Sequence, residues 1–274
     1  MKFFPRLSFT RSSAAGKKSW RYIAFGLLAY IVFLLATLPA SWLAWGLHRF
    51  GPHNISLTQP LGSVWRGQAI LIAKQGSQLN RLGLIEWDLH PLWLFTGKLG
   101  ANLRLKDDDT QASTDIKLGY KSITASRLAA TLPANALGRF YAPVSLAAPE
   151  GTINIKGEEL VLDQQGLHGQ AIVQWRNAGS QLSPVKPLGD YRLTINGKGK
   201  SATFKLNTNK GALQLSGNGN WDIYGSGQLN FNGTATPRQR NSELESLLSL
   251  LGKDLGGGRR LLRLNTRTKP LKFP

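Results

Sequence analysis

The chain has 274 residues, 42% of them apolar and 18% charged, a make-up that excludes wholesale disorder and collagen-like structure. It contains no cysteine, which excludes disulfides, cysteine-ligated zinc, thiol nucleophiles and iron-sulfur clusters. The formal charge of +19 points on composition alone to nucleic acid or an anionic surface, and the placement of the charges decides between them.

Residues 1–21 carry Lys2, Arg6, Arg11, Lys17, Lys18 and Arg21 and no acid, and no charged residue occurs from Tyr22 to Leu47. This pattern predicts a basic cytoplasmic tail over 1–21 and a transmembrane helix over 22–47. As an ideal helix the latter is about 39 Å long, against a hydrocarbon core of about 30 Å. Trp20 and Tyr22 at one end, and Trp42 and Trp45 at the other, are the expected membrane-interface aromatics. Pro39 is expected to kink the helix near its far end. The apolar run is longer than that of a cleaved signal peptide, so retention as an anchor is expected. The basic flank places the amino terminus in the cytoplasm and residues 48–274 outside it. That position weakens the case for nucleic acid; a basic domain there suits anionic lipid, polysaccharide or acidic proteins, and equally a solvated basic surface with no partner.

From about residue 55 the apolar period is two, the signature of strands with one face in and one face out. Leu99, Ala101, Leu103 and Leu105 alternate with Asn102, Arg104 and Lys106. After Asp107-Asp108-Asp109, the run Ala112, Thr114, Ile116, Leu118 and Tyr120 alternates with Ser113, Asp115, Lys117 and Lys121, which predicts an antiparallel hairpin. The pattern returns at Ile153 and Ile155, Ala171 to Trp175, Tyr191 to Ile195, Phe204 and Leu206, Leu213 and Leu215, and Leu229 and Phe231. Asn196-Gly197, Asn209-Lys210-Gly211 and Asn232-Gly233 are read as the turns between them.

Gly67-Gln68-Ala69-Ile70 recurs as Gly169-Gln170-Ala171-Ile172, and Gly76-Ser77-Gln78-Leu79 as Gly179-Ser180-Gln181-Leu182. Two similar β halves, about 52–130 and 150–236, are therefore expected to form one continuous sheet. Between them a short helix is expected at 133–141, with a hinge and an extended linker. Ser242 and Glu245 form a capping-box pattern ahead of an amphipathic helix at 243–251, and Arg259 to Thr268 is read as a last basic strand. The expected fold is mainly β: a single N-terminal transmembrane helix, then a curved, rolled antiparallel sheet of two similar halves in a domain spanning 48–274, with one or two short helices.

The chemistry that such a domain carries is sparse. The four histidines are scattered, no phosphate-binding loop or nucleophile elbow occurs, and no cofactor or metal is implied. Glu86 and Asp88 flank Trp87 and share a strand face with His90. That spacing allows a glycosidase-like carboxylate pair, and it equally suits the solvated side of a strand whose other face is Ile85, Trp87 and Leu89. Asp107 to Asp109 form a solvated hairpin tip without the ligand spacing of a calcium loop. Five tryptophans in the β region, Trp65, Trp87, Trp93, Trp175 and Trp221, serve as core packing or as the lining of a groove.

Two ordered blocks carry a family resemblance. They are Gly62-Ser63-Val64-Trp65-Arg66-Gly67-Gln68-Ala69 and the run Ile85-Glu86-Trp87-Asp88-Leu89-His90-Pro91-Leu92-Trp93-Leu94-Phe95-Thr96-Gly97-Lys98-Leu99. With the basic tail and apolar run ahead of them, the chain resembles the N protein of the bacterial type II secretion system. Gly166-Leu167-His168-Gly169-Gln170-Ala171 and Pro187-Leu188-Gly189-Asp190-Tyr191 extend the likeness into the second half. The resemblance implies a non-catalytic, accessory inner-membrane protein with a periplasmic β domain, acting beside other secretion subunits in the export of folded proteins. Trp65, Gly67, Trp87, Pro91 and Gly97 are its candidate motif positions. The β halves also look like the sheets of AsmA-like bridge proteins, which implies phospholipid as an alternative partner.

Overall fold

The computed structural model describes residues 16–51, 54–75, 78–139, 148–239, 244, 247–249 and 252–268. The charge-free stretch does not form one helix. Helix α1 runs Gly16–Ala36, beginning inside the expected tail, and helix α2 runs Ser41–Phe50. The break corrects the expectation of a continuous helix over 22–47, and its cause is local. Pro39 has no N–H to continue the helical ladder, and the backbone groups beside it are taken by the sheet: Ala40 donates to the Gly62 carbonyl at 3.0 Å, and Val64 donates to that of Leu38 at 2.8 Å. Among the described residues no helix is long and apolar enough to cross a membrane.

The rest is one antiparallel sheet of thirteen strands, each hydrogen-bonded to its neighbours in sequence. The first six are β1 (Ile55–Gly62), β2 (Arg66–Gln75), β3 (Gln78–His90), β4 (Leu99–Lys106), β5 (Gln111–Leu118) and β6 (Ser122–Pro133). There follow β7 (Pro149–Asp163), β8 (Gly166–Ser180), β9 (Gly189–Gly199), β10 (Ser201–Gly211), β11 (Leu213–Asp222), β12 (Gln228–Pro237) and β13 (Arg260–Arg267). The predicted hairpin is β4 with β5, in the register Leu99↔Leu118 to Lys106↔Gln111. The expected last basic strand is β13.

Three local readings are revised. The short helix expected at 133–141 is a 3-10 turn, Ala134–Arg139; Phe140 lies outside the described residues. The stretch expected to be a hinge leads into strands that pair directly, from Ser122↔Asp163 to Pro133↔Thr152, so the sheet is continuous across it. Asn196-Gly197 lies within β9 and Asn232-Gly233 within β12. The β9–β10 reversal falls instead at Lys200, after Gly199 with φ +71°. Inside the strands these glycines serve close packing: a Cβ on Gly197 would fall 2.6 Å from the Leu167 carbonyl oxygen, and one on Gly233, or on Gly217 or Gly219 beside it, within 3.1, 2.5 or 3.1 Å of the Phe231 ring, which lies across all three.

The register turns period-two alternation into a continuous apolar face. One row of directly paired residues runs Ala69, Ile85, Leu105, Ala112, Ala130, Ile155, Val173, Leu193, Leu206, Gly217, Gly233 and Leu262, from β2 to β13 without a polar member. Three clusters close parts of this face. Ala40 and Leu43 pack on Ala69 and Trp87; Ala134, Ala136 and Leu137 pack on Leu132 and Ile153; Leu244, Leu247 and Leu248 pack on Leu213 and Ala235. Leu244, Leu247 and Leu248, with Ser249, are the described residues of the helix expected at 243–251, and they are helical. The two Gly-Gln-Ala-Ile segments fall on β2 and β8, and in both the alanine is buried. Of the second recurring tetrapeptide, Gly76 and Ser77 lie outside the described residues.

Candidate functional site at the helix-to-sheet junction

The segment Gly62 to Gly67 turns β1 into β2, and here the helices are fastened to the sheet. Trp65 Nε1 donates to the carbonyl of Leu35 in the last turn of α1 at 2.7 Å, serving one of the carbonyls that a helix end leaves without an intrahelical donor. Pro39 bridges Ser63, and the Trp65 carbonyl accepts from the Leu89 amide at 2.6 Å. Trp87, 4% exposed, sends its indole N–H back to the carbonyls of Ser63 and Val64 at 3.2 and 3.0 Å. Its ring lies over Gly67, where a Cβ would fall 2.6 Å from Cζ2 and 2.6 Å from the Leu61 carbonyl oxygen. Three of the motif positions, Trp65, Gly67 and Trp87, thus form one joint.

Pro91 and Gly97 belong to a separate feature. They bracket the 3-10 turn Pro91–Thr96, which Gly97 ends with φ +69°. Trp93, on that turn, stacks under the ammonium of Lys117 at 5.1 Å. The expected membrane-interface aromatics divide between the two helices. Trp20 and Tyr22 stand exposed on α1, while Trp42 and Trp45 stand exposed on α2.

On the opposite face of β3, Glu86 and Asp88 line a cleft of about 430 Å³ with Leu61, Arg66, Gln68 and Arg104. Both carboxylates face cations. Lys106 Nζ reaches the two Glu86 oxygens at 3.0 and 3.1 Å, and Arg66 reaches Asp88 at 2.8 Å. Asp115 is paired in the same way with Arg127. This is a row of surface ion pairs, each weak by itself, rather than two carboxyls flanking a reacting bond. His90 ends the strand, exposed. No grouping of metal-ligating side chains occurs among the described residues.

Three titratable groups depart from their ordinary range for structural reasons: Tyr224, raised by burial and by the nearby Asp163, whose backbone carbonyl accepts from the Tyr224 hydroxyl at 2.8 Å, and the two that follow. Burial, with Asp190 alongside, pushes the Tyr191 phenol up, and its hydroxyl donates to the Leu213 carbonyl at 3.0 Å. The Ser226 amide and hydroxyl, with the Gly225 amide, hold Asp222 below the usual carboxylate range. Both groups fasten the sheet; neither lies at the junction. The chain's carbonyl partners at Leu35 and Leu38 escape sequence reading, because backbone atoms carry no signature. The only signal is the indole N–H of Trp65, a donor in need of an acceptor.

Fold and joint together define a class: a helix-tethered, in-order antiparallel sheet presenting surfaces, with its polar clusters tied up in ion pairs. The model of the family described as type II secretion system (T2SS), protein N matches residues 53–263, and the chain belongs to that family. The resemblance carried by the two sequence blocks is thereby shown, and with it a component of the type II secretion system in the bacterial cell envelope. The family is a structural secretion component, not known to be catalytic. No curated protein and no solved structure matches the chain.

Proposed function

We propose that this protein is an accessory, non-catalytic component of the type II secretion system that sits at the inner membrane and holds its sheet in the periplasm against other secretion subunits. The family match over residues 53–263 carries the reading. The membrane position is supported by α1, whose side chains from Trp20 to Ala36 are exposed and include Ile23, Phe25, Leu27, Leu28 and Phe33. From Tyr22 to the turn at Thr37 the chain rises about 24 Å as helix. That is less than the roughly 30 Å hydrocarbon core, so α1 does not reach across by its own length, and this reading has the aliphatic stem of Arg21 and local thinning of the bilayer make up the difference. The basic flank sets the amino terminus on the cytoplasmic side.

Contacts to other subunits are supported by the last strand. β13 pairs with β12 on one side, and its exposed residues Arg263 to Arg267 carry two guanidinium groups on one face. Beyond the bridge of Asp254 to Arg260 and the bond from the Leu261 amide to the Lys253 carbonyl, no described residue pairs with the outer edge of β13, and such an edge with like charges repels its own copies and accepts an extended acidic segment. At the other edge, Gln59 with φ +51° and Pro60 interrupt β1 and blunt it. Site-specific photo-crosslinking in cells at Arg263 and Asn265 tests the reading. Crosslinks to secretion subunits are expected, and a full absence of them at both positions, in cells where the protein is intact, would overturn it.

The apolar row from Ala69 to Leu262 favours a second reading, an AsmA-like lipid-binding or lipid-transfer role. Of its ten members with side chains beyond hydrogen, only Ala69 is buried. Lipid retained by the purified protein through detergent exchange supports this role, and lipid-free protein removes it.

A further inference from the structure

We propose that α2 lies in the headgroup layer of the membrane as a strut, holding the apolar face of the first strands towards the bilayer at a fixed angle. The inference rests on the membrane position proposed above and goes beyond it, since a helix continuing α1 would carry Trp42 and Trp45 along a span and leave the sheet free to swivel.

Helix α2 has two unlike sides. Leu43 packs inward with Ala40 onto Ala69 and Trp87, whereas Trp42, Trp45 and Phe50 point away from the sheet, exposed by 57%, 57% and 79%. The outer three form an edge-to-face chain, with centroids 6.1 Å apart for Trp42 and Trp45 and 6.1 Å for Trp45 and Phe50. Arg49 lies over the Phe50 ring at 5.6 Å, and His48 stands beside it. Indole rings with cations next to them are the side chains that suit the headgroup boundary, and a helix bearing them on one side lies in that plane. Phospholipid is the occupant on geometric grounds as well. Only Thr37 to Ala40 separate α2 from α1, and this connection is clamped to the end of β1 and the β1–β2 turn by Ala40 on Gly62 and Leu38 on Val64, with Leu35 of α1 held by Trp65.

The clamp makes the placement consequential. Helix α2 starts beside the end of β1 at Gly62 and returns the chain to the start of β1 at Ile55, so it runs antiparallel to that strand across the apolar face. If its outer side faces lipid, β1 lies along the membrane surface.

The chain has no cysteine, so one introduced thiol takes one label. Leu28→Cys in α1, Trp45→Cys in α2 and Asn218→Cys on the polar face of β11 are each labelled with the environment-sensitive dye NBD. The full-length variants are placed in nanodiscs of phosphatidylcholine and phosphatidylglycerol, with and without brominated acyl chains. Expected are blue-shifted emission and bromolipid quenching at positions 28 and 45, and neither at 218. Quenching at 28 with water-like emission at 45 overturns the strut and leaves the membrane position standing. Water-like emission at both overturns the two together.

Discussion

The indole of Trp65 reaches the carbonyl of Leu35 at 2.7 Å, thirty residues earlier in the chain, and so ties the last turn of α1 to the first turn of the sheet. Trp65→Phe keeps the ring and removes the donor. The expected cost is about 1 kcal/mol, the net worth of one such bond, read as a lowered urea midpoint of the full chain in detergent. Faster amide exchange at Val64 than at Lys205 localises the loss to the joint, and unchanged exchange at Val64 would remove the role given to Trp65.

Gly67→Ala probes the same joint from beneath. The added methyl meets Trp87 and the Leu61 carbonyl oxygen at 2.6 Å each, so the buried ring must move. Overpacking of this kind costs about 1–3 kcal/mol. Gly97→Ala puts strain on a backbone at φ +69° with nothing near its Cβ. The two are separated by amide exchange at Val64 in the otherwise unaltered chain: only Gly67→Ala is expected to raise it.

Asp222 gives the chain a local acid sensitivity. Its carboxylate is held low by Ser226 and Gly225, so the stabilisation is present above the unfolded value, about pH 4, and is lost as pH falls through the lowered folded value. Amide exchange at Gly225 and Ser226 should rise in that acid window and not at neutral pH. In Asp222→Asn the rise should be absent, because no proton is taken up there.

Glu86 and Asp88 are expected to be dispensable for chemistry. Glu86→Gln with Asp88→Asn removes two exposed ion pairs, a change of at most about 1 kcal/mol each, while the strand and its apolar face remain. Type II secretion by cells carrying the double variant should match the parent at equal protein level. A loss of secretion with the fold intact would restore the catalytic reading of that face.

The sheet was legible because each strand states its own faces. Leu99 to Leu105 and Ala112 to Leu118 alternate, and the structure pairs them in the register that the alternation requires. The helix break was not, since hydropathy registers what surrounds a side chain and the break depends on backbone partners contributed by Gly62 and Val64. Turns were misplaced for a related reason. Glycine was taken as a reversal at Asn196-Gly197 and Asn232-Gly233, whereas in this sheet it also makes room for rings such as Phe231. Strand offsets hang on bulges, as at Arg127 with φ +52°, and nothing in the side-chain pattern announces a residue in that conformation. Of the candidate positions, Trp65, Gly67 and Trp87 could be found as a block of motif, but their shared task needed the third dimension.

The order of the strands bears on how the molecule comes into being. Every strand lies beside the one made just before it, so no pairing waits for a distant segment to arrive. A chain produced amino terminus first can add strands one at a time to a growing edge. At each stage that edge is sticky until its successor docks. Among the described residues the last strand to be made is β13, and its exposed Arg263 and Arg267 place like charges beside the edge that no later described strand covers, a guard against wrong pairing where it is needed.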